Sequence, residues 1–136
     1  MSIYLLLKSW RTPDYEILGM EIKADKYSIT YDSEAATVTC KGSLLLNGAK
    51  EYEPLLQLLN MAAEQQQPDS LTIDLRELKF LNSSGINMMT KFVINVNDIK
   101  ALELEVVVLY SKKIAWQEKL SKNLRRLMPT LKAKLE

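Results

Sequence analysis

No histidine occurs anywhere in the 136 residues, and cysteine occurs once, as Cys40. The first absence removes the imidazole general base, the Ser-His-Asp triad and the Cys/His zinc site, and the second removes an internal disulfide. Charge of one sign is missing too. Lys and Arg number 18 against 17 Asp and Glu, a formal net charge of +1, so no global field draws the chain onto nucleic acid or an anionic membrane. Long hydrophobic runs are also lacking. The apolar start Ile3 to Leu7 is broken by Lys8 and has neither a basic leader nor a small-residue cleavage site, so it reads as neither signal peptide nor membrane span. A cytoplasmic protein is expected, with no metal or other cofactor.

What is present is the make-up of one globular domain: 47% hydrophobic and 26% charged residues. A chain of this size buries roughly 70% of the surface that its unfolded form exposes, enough for a core without disulfides or metals. Residues 1–24 are punctuated by Pro13 and Gly19 and are too short to own a core. They read as an N-terminal appendage to a domain over residues 25–136, packed on that domain or on a partner.

From Tyr27 the pattern turns to period two. Tyr27, Ile29 and Tyr31 share a face, a turn follows around Asp32 to Ala35, and a second strand starts at Thr37, which predicts a hairpin. Asn47-Gly48 ends that strand. Tyr52, Leu55, Leu56, Leu59, Ala62 and Ala63 then recur at three- and four-residue spacing, a helix with Pro54 near its first turn and Pro68 beyond its end. Leu71 to Leu75 alternate as a central strand, with a loop expected over 76–81. A helix follows from Ile86 to about Ile99, then a buried strand at Leu104 to Leu109, then a last helix from about Ile114 to Leu127 that Pro129 stops. The order β-β-α-β-α-β-α predicts a small α/β domain with a mixed four-stranded sheet and right-handed helical crossovers.

The chemistry concentrates in Asn82-Ser83-Ser84-Gly85, a strand-to-helix connection that sets two hydroxyls where a helix N-terminus points its free N–H groups outward. A phosphoryl group added there would carry about −1.5 to −2 charge against the positive helix end, or repel a partner that docks on the bare surface. A serine before a helix is also an ordinary cap worth roughly 1 kcal/mol.

The stretch from Leu71 to Ile86 resembles the signature of STAS domains, named for sulfate transporters and anti-sigma-factor antagonists. In that family an apolar strand ending in aspartate leads to Asp-Ser-Ser/Thr-Gly-Leu at a helix start. Gly42-Ser43-Leu44 likewise resembles the family's Gly-Glu-Leu, and the likeness spans about Tyr27 to Met128. The resemblance implies a bacterial STAS-like signal-transduction module that works by partner switching. Ser83 would be phosphorylated by a serine kinase of the anti-sigma-factor type and dephosphorylated by a PP2C-type phosphatase. Asn82, Ser84 and Gly85 would complete the switch loop, with Gly85 letting a partner's backbone approach. The chain departs from the pattern where Asn82 stands for the family's aspartate and where Leu45 stands for a residue that is often acidic. Another signalling protein, a phosphatase or cyclase among them, would suit the same surface.

The helix after the motif has an apolar arc wider than the roughly 100° that covers a sheet. Met88 and Phe92 therefore either extend to solvent as a partner-binding surface beside Ser83 or are buried under another element. Lys112, Lys113, Lys119, Lys122, Arg125 and Arg126 lie on or just before the last helix, opposite its leucine stripe, and read as a solvated face rather than a nucleic-acid site. Asp74, Glu77, Ser83 and Ser84 could meet at the carboxyl end of the central strand, but no residue is visible to activate a serine nucleophile, so a binding module is expected rather than an enzyme. A nucleotide or small anion at the same helix N-terminus is the alternative.

Overall fold

The computed structural model describes residues 4–9, 19–99 and 103–136. Trp10, Pro13 and Asp14 of the expected appendage lie outside the described residues. Four strands come first, β1 (Tyr4–Ser9), β2 (Gly19–Lys23), β3 (Tyr27–Asp32) and β4 (Thr37–Leu44), each antiparallel to the one before. Then α1 (Gly48–Gln66), β5 (Ser70–Leu81), α2 (Ser83–Asp98), β6 (Glu105–Tyr110), α3 (Ala115–Leu127) and β7 (Lys132–Leu135) alternate, with β4 to β7 parallel. The strands lie in chain order across one sheet. The three helical crossovers each step one strand in the same direction across the sheet, and the helices lie side by side, α1 packing on α2 and α2 on α3.

Alternation along the strands agrees. Ile29, Tyr31, Val38, Leu71, Ile73, Val106 and Val108 are buried toward the helices, while Ser28, Thr30, Thr37, Thr39 and Thr72 between them are only half-covered.

The α/β class and mixed sheet are as the sequence implies, but the sheet is wider: seven strands among the described residues rather than four. Two of the additional strands come from residues 1–24. Met20 and Ile22 are in the core, so β2 is an integral strand and not an appendage. The third is β7, beyond Pro129, too short to show a period. The loop expected over 76–81 is also strand. There β5 shifts register against β4 twice, between Thr39 and Lys41 and between Gly42 and Ser43, which scrambles the two-residue alternation. Carbonyls around the first shift are held by the fully buried Gln117 of α3, whose Nε2 donates to Leu75 O and Leu78 O. Gly42 has φ +91, and a Cβ there would stand 2.1 Å from Lys26 O, so no other residue fits the turn of β4 against the start of β3.

Candidate functional site

Strands β4 and β5 end side by side, so the starts of α1 and α2 meet at one edge of the sheet. Asn82 joins them. It is the N-cap of α2, with Oδ1 accepting the Gly85 N–H at 3.0 Å, while its backbone N–H donates to Leu44 O at 3.2 Å. Its Nδ2 donates to Leu46 O at 2.7 Å. The buried Tyr52 of α1 closes the network: its hydroxyl lies 2.7 Å from Asn82 Oδ1 and 3.0 Å from Leu44 O, sharing one proton between them, and accepts the Leu46 N–H at 3.3 Å. Burial pushes the Tyr52 phenol above its ordinary pKa, so it remains a neutral donor.

This network explains the departure at position 82. An aspartate could cap the helix equally well, but it has no N–H to give to Leu46 O and would turn a carboxylate oxygen against that carbonyl. Asparagine is the residue that serves both sides.

The two serines differ. Ser84 is half-buried, and its Oγ accepts the N–H of Gly48, the first residue of α1, at 3.3 Å. Ser83 is exposed, and its hydroxyl has no partner among the described residues. Gly85 N and Ile86 N are taken by Asn82, which leaves the amides of Ser83 and Ser84 at the helix start without an acceptor among the described residues.

Gly85 serves the protein's own packing. It is buried, and a Cβ there would meet Leu81 Cδ1 at 2.3 Å and Tyr52 OH at 2.8 Å, so the close approach is by α1 and β5 rather than by a partner. Met88 and Phe92 form no partner-binding surface: both are core residues, Phe92 with no exposed surface at all. The two are buried because α2 packs against α1 and α3 as well as into the core beneath it.

The exposed apolar side chains at this edge are different ones. Leu45, more than half exposed, projects outward between Leu44 and Leu46, the two residues that bracket Asn82. Phe80, also more than half exposed, lies two residues before Asn82, and Ile86 lies one turn after Ser83. Residues Leu44 to Leu46 form a continuous apolar run in an extended segment, and that was the available signal: the middle one must face away from its neighbours.

The acidic residues of the enzyme reading are not brought to Ser83. Asp74 lies eight positions before Asn82, over about 20 Å of strand, and its carboxylate accepts the Arg76 Nε–H at 2.9 Å and an Arg76 Nη2–H at 2.8 Å. Burial raises the Asp74 pKa, but the hydrogen bonds and charge of Arg76 outweigh it and hold the carboxyl below its usual range. Glu77 pairs with Lys41 at 3.4 Å. Burial, helped by the charge of Asp74, pushes the Cys40 thiol up to about 12, so it is no nucleophile. Among the described residues no cluster could hold a metal ion, and no helix is long and apolar enough to cross a membrane.

No protein-family model and no curated protein matches this chain. Solved structures do. SiaC of Pseudomonas aeruginosa superposes with a TM-score of 0.57 at 14% identity, over 100% of both chains. Apo-SiaC of the same organism gives 0.59 at 13% identity, over 100% of this chain and 99% of that one. A chain from the complex of the Pseudomonas aeruginosa diguanylate cyclase SiaD with its activator SiaC gives 0.62 at 14% identity, over 85% of this chain and 96% of that one. What is shared is the fold.

Proposed function

We propose that this chain is a non-catalytic regulatory module that docks on a signalling enzyme through the edge around Ser83, and that phosphorylation of Ser83 controls the docking. The observation that carries the reading is the exposed, unengaged Ser83 hydroxyl at the start of α2, with exposed Phe80 and Ile86 three residues to either side of it in the chain and exposed Leu45 between the two residues that Asn82 binds. The STAS-like motif and the fold shared with SiaC, which activates a diguanylate cyclase, support it. A diguanylate cyclase is the partner class to test first. A serine kinase of the anti-sigma-factor type would transfer the γ-phosphoryl of ATP to Ser83 Oγ, releasing ADP and the hydroxyl proton, and a PP2C-type phosphatase would hydrolyse the ester.

The Ser83 phosphate would accept the two free amides of the first turn and sit on the positive helix end, where it is stabilised. The same dianion would oppose desolvation of the exposed apolar side chains at this edge against a partner. Docking and phosphorylation are therefore mutually exclusive.

The test is affinity capture with wild type, Ser83→Ala and Ser83→Asp, followed by a cyclic-dinucleotide synthesis assay on any cyclase retained. Wild type and Ser83→Ala should retain the same enzyme and raise its rate, and Ser83→Asp should not. Identical capture by all three makes Ser83 structural. One observation favours a second reading. A groove of about 270 Å³ between α1 and α2 is lined by Ser84, Asn87, Thr90 and Lys91 beside Tyr52 and Met88, which would suit a small anion or nucleotide. Calorimetric titration with nucleotides decides it, since heat that saturates in wild type and is lost in Lys91→Gln would favour that ligand.

A further inference from the structure

The near-zero net charge conceals a partition. Residues 111–136 hold eight Lys or Arg against two acidic residues, Glu118 and Glu136, while the rest of the chain holds ten basic against fifteen acidic residues. Helix α3 lies in the basic part. Lys119, Lys122 and Arg126 follow one another at three- and four-residue spacing and are all exposed, with Arg125 beside them and Lys112 and Lys113 exposed just ahead of the helix. Leu120, Ser121 and Leu124 take the buried side. Among the described residues Lys122 alone of this stripe has an acidic partner, Glu118 at 3.6 Å. The helix macrodipole accounts for Arg125 and Arg126 in the last turn, but not for the lysines.

We infer that the outer face of α3 is a second docking surface, and that its occupant is an acidic amphipathic helix of a partner protein. Charge complementarity sets the sign. The length fits as well: from Lys119 to Arg126 the stripe runs about 10 Å at 1.5 Å per residue, two turns of a helix whose carboxylates recur at the same spacing. Leu127, exposed at the end of the stripe, gives such a helix an apolar contact. A nucleic acid fits less well. A long polyanion would run off the stripe onto the net-acidic remainder of the molecule. The face also presents no free aromatic ring for stacking, because Trp116 is half-buried with its Nε1–H donated to Lys79 O at 2.9 Å.

This surface does not depend on Ser83, so its test is separable from that of the proposed function. The probe is a fluorescein-labelled peptide of about 14 residues with glutamates at i, i+3, i+4 and i+7 and leucines on the adjoining face, followed by fluorescence anisotropy at about 50 mM and about 300 mM salt. Wild type and Ser83→Asp should bind it equally at low salt. The triple variant Lys119→Gln/Lys122→Gln/Arg126→Gln should bind about tenfold more weakly, three exposed pairs being lost, and Leu127→Ser a few-fold more weakly. Lys26→Gln/Lys50→Gln, which removes exposed charge elsewhere, should match wild type. Equal weakening in that control, no saturable binding at low salt, or tighter binding of a short RNA or DNA duplex that ignores Leu127→Ser would each overturn the inference. All the substituted side chains are exposed, and thermal melts of each variant establish that loss of binding is not loss of fold.

Discussion

The first turn of α2 and the body of the same helix are built for different ends. From Met88 to Val96 the helix is wedged between α1 and α3 over the core, and its buried residues, Met88, Met89, Phe92, Val93 and Val96, span a wide arc. In the first turn Ser83 and Ile86 face outward, Asn82 is tied into a four-way polar network, and Gly85 lets Tyr52 and Leu81 close in. The difference teaches that the width of an apolar arc counts packing neighbours. It does not reveal surplus surface for a partner. The large apolar side chains that the proposed docking would use are instead the ones left outside the core, here Leu45, Phe80 and Ile86.

The contrast can be broken from either side. The largest effect belongs to the body: Phe92→Ala should lower unfolding free energy by about 3–5 kcal/mol in a urea titration, and a loss under about 1 kcal/mol would return Phe92 to the surface. Next comes Gly85→Ala, which forces its Cβ against a Tyr52 hydroxyl fixed by hydrogen bonds. It should lower stability by about 1–3 kcal/mol even though alanine is the better helix former, and an unchanged melting temperature would mean that the first turn is looser than described. Asn82→Asp should cost about 1–3 kcal/mol, the penalty of leaving Leu46 O without its donor. A stable aspartate variant would show that asparagine was not needed for the network. The smallest pair separates the serines. Ser84→Ala should cost about 0.5–1.5 kcal/mol and speed amide exchange at Gly48, whereas Ser83→Ala should stay within about 0.5 kcal/mol of wild type.

Much of this was legible in the residues. The stripe from Tyr52 to Ala63 marks α1, the run of three valines marks β6, and Asn82-Ser83 announces the start of α2 through capping chemistry. The rest depends on distant partners. β2 and β7 are too short to show a period and exist because β3 and β6 offer edges to pair with. The bulged half of β5 is stabilised by Gln117, 39 residues away from Leu78 in sequence, and no local pattern encodes that. Within the site, the hydroxyl pair could be read but not ranked. The Gly48 N–H donated to Ser84 Oγ, from 36 residues away, and the half-burial that goes with it distinguish the engaged serine from the exposed one.

The decisive measurement is the dissociation constant of the captured partner for the chain phosphorylated at residue 83, made by installing phosphoserine during synthesis, compared with the unmodified chain. A dianion at the edge that carries Leu45, Phe80 and Ile86 should weaken binding by about tenfold or more while the melting temperature holds or rises. Unchanged affinity, with the phosphate confirmed in place, would contradict a switch at this serine.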